Sequence, residues 1–192
     1  MNTNPTSRIY EEGSIEYQNG NGVSFYKDKS HEGGNYFFDY RVNGSVIRLN
    51  DLLENGRWTF IPVRSNFKIC IRENGVIRPV PEIQISIPKL REREIRILSS
   101  FHEIGHAKTY DSLHALLCHG SLSGSYSEQL AAVHEFCIKA FGDEEYERFS
   151  ERFAWTHALK AARSLGLLNY FGSDNVRSHY RLHLGSYGLS FL

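Results

Sequence analysis

The sequence predicts an α+β fold, in which a small antiparallel sheet is followed by a helical half. All five prolines lie within the first 88 of the 192 residues. Apolar and polar residues alternate in that first part, whereas apolar residues recur at helical spacing from Pro88 onward. We therefore expect a single domain over 1–192, with a strand-rich part (1–87), a helical part (88–166) and an aromatic tail (167–192).

Two Asn-Gly dipeptides predict β-hairpins in the strand-rich part, because this dipeptide favours the type I′ turn. Asn43-Gly44 and Asn74-Gly75 each separate two runs of alternating apolar and polar residues. The last run follows Pro79 and Pro81 and suits the edge of a sheet, where a missing N–H costs little. The predicted strands are 23–26, 35–40, 41–49, 67–72, 76–80 and 82–87.

The helical part begins with one long helix, predicted over about 89–110, because Pro88 suits a first helical turn. Ser125 and Glu128 form a capping-box pattern that opens a second helix, and Gly142 ends it. Asp143 is expected to cap a third helix, which continues to Gly166. The tail beyond residue 167 is aromatic and rich in glycine, so we predict little regular structure there.

Composition narrows the classes of function. Twenty-two Lys and Arg residues balance twenty-two Asp and Glu residues, so no overall field attracts nucleic acid or an anionic membrane. The first residues do not resemble a signal peptide and no apolar run is long enough to span a bilayer, which predicts a cytoplasmic protein. Cys70, Cys118 and Cys137 are far apart and are expected to be small buried apolar residues.

One sharp chemical motif, H-E-x-x-H, lies on the first predicted helix at residues 102–106. Residues four apart share a helical face, so His102 and His106 can bind one metal ion while Glu103 stands beside it. Neutral imidazoles bind zinc, and an open coordination position lowers the pKa of a bound water towards about 7. Glu103 is then the candidate general base, and Gly105 allows another element to approach closely.

Such a site needs a third protein ligand. The metzincin pattern is excluded because Thr109 and Ser112 stand where it requires Gly and His. Glu151 is the favoured candidate, since alanines at 154, 158 and 161 would let its helix press closely on the motif helix. The rivals for this role are Glu128, Glu135, His114 and His134.

The His-Glu-Ile-Gly-His core, followed by Glu-x-x-Ala on an alanine-rich helix, resembles the gluzincin metallopeptidases. Within them it is similar to the ImmA/IrrE-like family of small intracellular metalloproteins, over about residues 85–166. The resemblance implies a zincin-like fold with one Zn²⁺ per chain, held by His102, His106 and Glu151. It also implies that Glu103 is the general base and that a regulatory protein can be a partner, as it is for some members.

Further roles are assigned to neighbouring polar residues. Asp111 is a candidate to accept a hydrogen bond from the N–H of a ligand imidazole that does not face the metal. His179 and Tyr180 in the tail are candidates to stabilise the oxyanion, and His157 and Tyr187 are alternatives.

The predicted function is that of a zinc metallopeptidase, a hydrolase that cleaves a peptide or protein substrate through a metal-activated water. Strand 82–87 can serve as the sheet edge to which an extended substrate adds, or it can be an ordinary edge protected by prolines. Two alternatives stay open. One is a partner-binding regulatory module with a structural or vestigial zinc site, and the other is a zinc hydrolase that acts on a non-peptide amide.

Overall fold

The computed structural model describes residues 17–19, 23–28, 35–42, 45–53, 57–63, 66–74, 76–86, 93–118 and 123–188. Antiparallel strands precede the helices, which confirms the predicted α+β class. The chain divides into two compact units, Met1–Leu49 and Asn50–Leu192, where the sequence predicted a single domain. Within the described ranges, no helix combines the length and the apolar character that crossing a membrane requires.

The first unit contains a four-stranded antiparallel sheet in the order β1-β2-β3-β4. Val42 pairs with Ser45, which confirms the hairpin predicted at Asn43-Gly44, although the turn itself lies outside the described residues. Asp39 on β3 lies opposite Arg48 on β4, and the two form a bidentate ion pair. Arg48 Nε donates to Asp39 Oδ1 at 3.0 Å, and Arg48 Nη2 donates to Asp39 Oδ2 at 3.2 Å. The strands are β1 (Tyr17–Asn19), β2 (Val23–Asp28), β3 (Asn35–Val42) and β4 (Ser45–Arg48).

The second unit begins with a three-stranded antiparallel sheet in the order β5-β6-β7. Glu73 pairs with Val76, which confirms the second predicted hairpin, and Asn74 has the positive φ of 50° that a type I′ turn requires. The sequence analysis did not predict β5, which pairs with β6 and buries Trp58 and Phe60. The strands are β5 (Trp58–Val63), β6 (Asn66–Glu73) and β7 (Val76–Ser86).

Strand β7 corrects one boundary of the sequence analysis. The two strands predicted at 76–80 and 82–87 form one strand with a register shift opposite Lys68 to Cys70. Cys70 pairs with Pro79 and Lys68 pairs with Gln84, so a β-bulge absorbs the extra residues. The strand lies at the end of the sheet order, which agrees with the predicted edge position.

Five α-helices follow in the residues that the structure describes, and the predicted capping signals explain where two of them meet. The Ser125 side chain accepts from the Glu128 amide at 3.4 Å, and the Glu128 carboxylate accepts from the Ser125 amide at 2.7 Å. Gly142 ends α2 and also serves as the N-cap of α3, so Asp143 is the first helical residue and not the predicted cap. The helices are α1 (Arg93–Leu117), α2 (Tyr126–Phe141), α3 (Asp143–Ser164), α4 (Leu168–Phe171) and α5 (Ser173–Ser186).

The prediction of an irregular tail is wrong, because α4 and α5 occupy most of it. Helix α5 buries only Val176 and Leu184. With so few apolar positions, the sequence carries little helical periodicity that could have predicted it. The helix is stabilised by packing on α3, where the Trp155 ring lies 5.3 Å from the ring of Tyr180 and 5.4 Å from that of His183. Of the three cysteines, all of which are free, Cys70 and Cys137 are buried and Cys118 is half-buried.

Candidate metal centre

Helices α1 and α3 bring three predicted ligand atoms together. The Nε2 atoms of His102 and His106 lie 3.1 Å apart on adjacent turns of α1. The Glu151 carboxylate on α3 lies 3.2 Å from His102 Nε2 and 3.3 Å from His106 Nε2. Ligand atoms bound at about 2.0–2.1 Å to a tetrahedral ion lie about 3.3 Å from one another. The group can therefore hold a metal ion, and among the described residues it is the only such group of three.

The close approach of the two helices follows from small residues on both. A Cβ atom on Gly105 would lie 2.2 Å from the Ala154 carbonyl oxygen, so only glycine fits at this position. Ala154 and Ala158 are fully buried on α3, and Ala162 continues the stripe where the sequence analysis placed Ala161, which is only half-buried. This packing lets the short Glu151 side chain reach the two histidines.

Burial controls the charges of the ligand side chains. His102 is 2% exposed, and burial lowers its pKa to about 4, so its imidazole is neutral at pH 7. Burial alone would raise the pKa of Glu151, but the two neighbouring imidazoles outweigh it and hold that pKa far below its usual range. The neutral imidazole of His102 and the ionised carboxylate of Glu151 are in the protonation states that metal ligands need.

The same three side chains leave polar atoms that a cation would satisfy. Within the described part of the chain, Glu151 Oε2 is buried without a well-formed hydrogen bond. The facing Nε2 atoms of His102 and His106 cannot both present lone pairs to each other without repulsion. A shared positive ion removes both costs, so the residues present fit a metal ion.

Ser150, next to Glu151 on α3, orients one of the ligand histidines. Its Oγ lies 3.1 Å from His106 Nδ1, which fixes the plane of the ring. The sequence analysis gave this role to Asp111, and the contacts of Asp111 correct it. Asp111 accepts from the Trp58 indole N–H at 3.0 Å and from the Tyr126 hydroxyl, so it ties α1 to β5 and α2.

A cavity of about 480 Å³ opens beside the ligand group, and Glu103 lines it. Burial raises the pKa of Glu103 to about 7, since the opposing effect of His106 is smaller and Glu151 adds to the rise. Its other lining residues are His102, His106, Tyr110, His134, Ile138, Asp143, Tyr146, Glu147, Ser150, Glu151, His183 and Tyr187. A potential proton acceptor thus stands in the same cavity as the ligands.

Helix α5 contributes His183 to this cavity and Tyr187 follows from its C-cap, in place of the predicted His179 and Tyr180. His183 Nδ1 accepts from the Trp155 indole N–H at 3.2 Å and lies 3.6 Å from Glu151 Oε2. Burial, with the Glu151 carboxylate, raises the pKa of Tyr187 to about 12, so its hydroxyl stays protonated. His179 and Tyr180 instead pack against Trp155.

The spacing of His179, His183 and Tyr187 is the signal that sequence reasoning missed. Residues four apart share one helical face, so a helical tail would have placed all three on the side that packs on α3. Tyr187 was an alternative in the sequence analysis, whereas His183 was not considered.

The rivals to Glu151 have other partners. Glu128 belongs to the α2 capping box, and Glu135 pairs with Lys139 at 2.6 Å. His114 lies 2.6 Å from Gln129, and His134 lies 3.2 Å from the Tyr146 hydroxyl. None of the four belongs to the ligand group formed by the described residues.

No protein-family model matches the chain, and neither a curated protein nor a solved structure matches it significantly. The similarity to the ImmA/IrrE-like family therefore stays a prediction from the motif residues.

Proposed function

We propose that this protein is a zinc-dependent peptidase in which His102, His106 and Glu151 bind the metal and Glu103 is the general base. The observation that carries the proposal is a three-ligand group that opens on a cavity lined by a fourth, non-ligating carboxylate. Two imidazoles and one carboxylate, with one position left open, form a common ligand set of catalytic zinc sites. A purely structural site would need a fourth protein ligand and would have no use for Glu103.

The chemistry divides between the metal and the chain. When bound, the zinc ion supplies Lewis-acid activation of a water molecule and of the scissile carbonyl. Glu103 accepts a proton as the water oxygen bonds to the carbonyl carbon, and it then passes that proton to the departing amine as the C–N bond breaks. Ser150 holds the ring of His106 in place throughout.

Helix α5 supplies the hydrogen-bond donors for the negative charge that develops on the substrate oxygen. An indole N–H can only donate, so its bond to His183 Nδ1 makes that nitrogen an acceptor and leaves the proton on Nε2. We assign this tautomer from the hydrogen bond. His183 and Tyr187 both line the cavity, so we assign the Nε2–H of His183 and the hydroxyl of Tyr187, which hydrogen-bonds with Glu151 in the metal-free chain, as the donors to the substrate oxygen.

The sheet edge beside the motif helix supports an extended peptide as the form of the proposed substrate. Strand β7 lies at the end of its sheet order and packs against α1, the helix of the H-E-x-x-H motif. Peptides commonly bind by adding a strand to such an edge, through backbone hydrogen bonds that tolerate many sequences. We therefore propose peptides and unfolded protein segments as the substrate class.

The test combines metal analysis with hydrolysis of a quenched-fluorescent peptide library. We expect about one zinc per chain in the wild type and in Glu103→Gln, and strongly reduced zinc in His106→Ala and Glu151→Ala. Hydrolysis by the zinc-loaded wild type should fall by at least about 100-fold in Glu103→Gln, because that variant keeps the metal and loses the proton acceptor.

Three outcomes would count against the proposal. Absence of zinc from the wild type after zinc is supplied would refute the metal site. Undiminished hydrolysis by Glu103→Gln would refute the role of Glu103. Zinc binding by the wild type without hydrolysis of any peptide would favour the alternative of a regulatory module with a structural zinc.

A further inference from the structure

A second cavity, of about 800 Å³, is formed by α1, α2 and α3 and shares Tyr146 with the metal cavity. We call it the apolar groove. Its apolar lining consists of Leu113, Leu116, Leu117, Phe136, Cys137, Phe141, Phe149 and Phe153. The proposed hydrolysis uses none of these residues.

The apolar groove collects most of the exposed hydrophobic surface of the described residues. Six of the ten large hydrophobic side chains that are exposed there line this groove, and four of the six are phenylalanine. Phe141 is 66% exposed and Leu116 is 65% exposed. Scattered exposed apolar residues are ordinary, but a contiguous aromatic patch marks a surface that another molecule covers.

Charged residues on α3 border the groove in a pattern that indicates its partner. Glu145, Arg148 and Arg152 line the groove together with Phe149 and Phe153, at steps that keep all five on one face of α3. Arg148 pairs with Glu145 at 2.7 Å, whereas Arg152 has no ion-pair partner among the described residues. The border thus carries both signs of charge, and the exposed Arg152 is available to a partner's carboxylate.

The charges on this face of α3 can pair with those on the same face of a second copy of the chain. When two copies of α3 cross in antiparallel fashion about a two-fold axis between residues 148 and 149, positions 152 and 145 face each other twice. Arg152 then meets Glu145 of the partner subunit, and the partner's Arg152 meets Glu145. Phe149 lies next to the axis and faces the partner's Arg148, and the two Arg152–Glu145 pairs lie about one helical turn from the axis on either side.

We propose that the apolar groove is the interface of a two-fold symmetric homodimer, with α3 of each copy seated in the groove of the other. A two-fold interface requires a self-complementary patch, which the border charges supply. The formal net charge of zero means that two copies do not repel each other as they approach. A ridge on α3 beside a groove formed with α1 and α2 permits reciprocal ridge-into-groove packing.

The first test measures the mass of the full chain by sedimentation velocity, from about 1 to about 100 µM. We expect a species of twice the 22.1 kDa chain mass in the wild type. Leu116→Glu should weaken dimerisation by at least about tenfold, because it places a charge in the buried interface. Leu182→Glu is the matched control, since Leu182 is 76% exposed and lies on α5 outside the groove, and it should leave the mass distribution unchanged.

The second test exchanges the charges. Arg152→Glu and Glu145→Arg should each weaken the dimer, by about tenfold, because each puts like charges opposite each other in both halves of the interface. The double variant Arg152→Glu/Glu145→Arg should recover the wild-type dimer, because it restores both pairs with reversed sign. Circular dichroism of each variant confirms that the fold is intact.

Either test can overturn the proposal. A wild-type chain that stays monomeric over the whole range would exclude a second copy as the occupant and point to a different protein. Equal effects of Leu116→Glu and Leu182→Glu would exclude the groove as the interface, and failure of the double variant to recover would exclude the antiparallel register. The readout is mass, so it stands whether or not the protein hydrolyses peptides.

Discussion

Replacing Gly105 by alanine tests the packing on which the metal centre depends. The added Cβ would lie 2.2 Å from the Ala154 carbonyl oxygen and 2.8 Å from two further backbone atoms of Ala154. Ordinary contact begins at 3.4 Å, and backbone atoms in the middle of a helix cannot rotate aside. Helix α3 must therefore retreat from α1 by about 1 Å to accommodate one methyl group.

Two opposing terms set the effect on stability. Forced overpacking costs about 1–3 kcal/mol, while exchanging glycine for alanine within a helix contributes up to about 1 kcal/mol. We therefore expect a net loss of about 1–2 kcal/mol, or about 2–8 °C in Tm for a chain of this size. The same retreat displaces Glu151, one turn before Ala154, by several times the roughly 0.2 Å that a metal site tolerates. Zinc affinity should fall by at least about 100-fold.

Gly185→Ala is the matched control, because Gly185 is also helical and a Cβ there meets nothing within 4 Å. It should leave zinc affinity unchanged and raise Tm slightly, by at most about 3 °C. Thermal unfolding of the metal-free proteins measures the change in Tm, and competition with a chelating dye measures the change in zinc affinity. Wild-type values of both quantities in Gly105→Ala would refute the close approach of α1 and α3, and equal losses in both variants would show a general intolerance of alanine.

Two further predictions concern the charge of His102 and the donors on α5. Because burial lowers the pKa of His102 from 6.5 to about 4, its side chain binds more protons in the unfolded chain between these values, so His102 should contribute a loss of up to about 3 kcal/mol in the stability of the metal-free protein as the pH falls from 6.5 to 4. Glu103, whose pKa is raised to about 7, contributes in the opposite direction in the wild type and in His102→Gln alike, so the difference between the two proteins isolates His102. Urea titrations across this range measure the loss, and the same slope in His102→Gln would contradict the assignment to His102. On zinc-loaded protein, His183→Phe should lower kcat by about 100-fold with zinc retained, because it removes an oxyanion donor, whereas Tyr180→Phe should leave kcat unchanged. Similar effects of both substitutions on peptide hydrolysis would contradict the different roles assigned to His183 and Tyr180.

Local rules predicted the parts of the fold that local geometry determines. The two Asn-Gly hairpins and the Ser125–Glu128 capping box depend on residues within a few positions of one another, and the structure confirms them. The positive φ of Asn74 is one example, because the turn type alone requires it. Strand β5 was not predicted, because it is stabilised by pairing with β6 and by burial of Trp58 and Phe60.

Near neighbours in the chain also determine one part of the candidate site, and distant residues determine the rest. The relation of His102 to His106 is fixed by the pitch of one helix, and the small residues on α1 and α3 indicated which carboxylate could reach them. The partners of Asp111, by contrast, include Trp58, which is 53 positions away, so no spacing rule could have assigned its role.

The sequence by itself determined the fold class, the two hairpins, the Ser125–Glu128 capping box and the candidate ligand pair on one helix, because each depends on contacts between near neighbours in the chain. Only the tertiary structure decided that the tail is helical, since α5 depends on Trp155 of α3 more than on its own apolar pattern. It also decided that His183 and Tyr187, not His179 and Tyr180, face the cavity. The face that a helix presents to a site is set by what it packs against, and that information lies in distant parts of the chain.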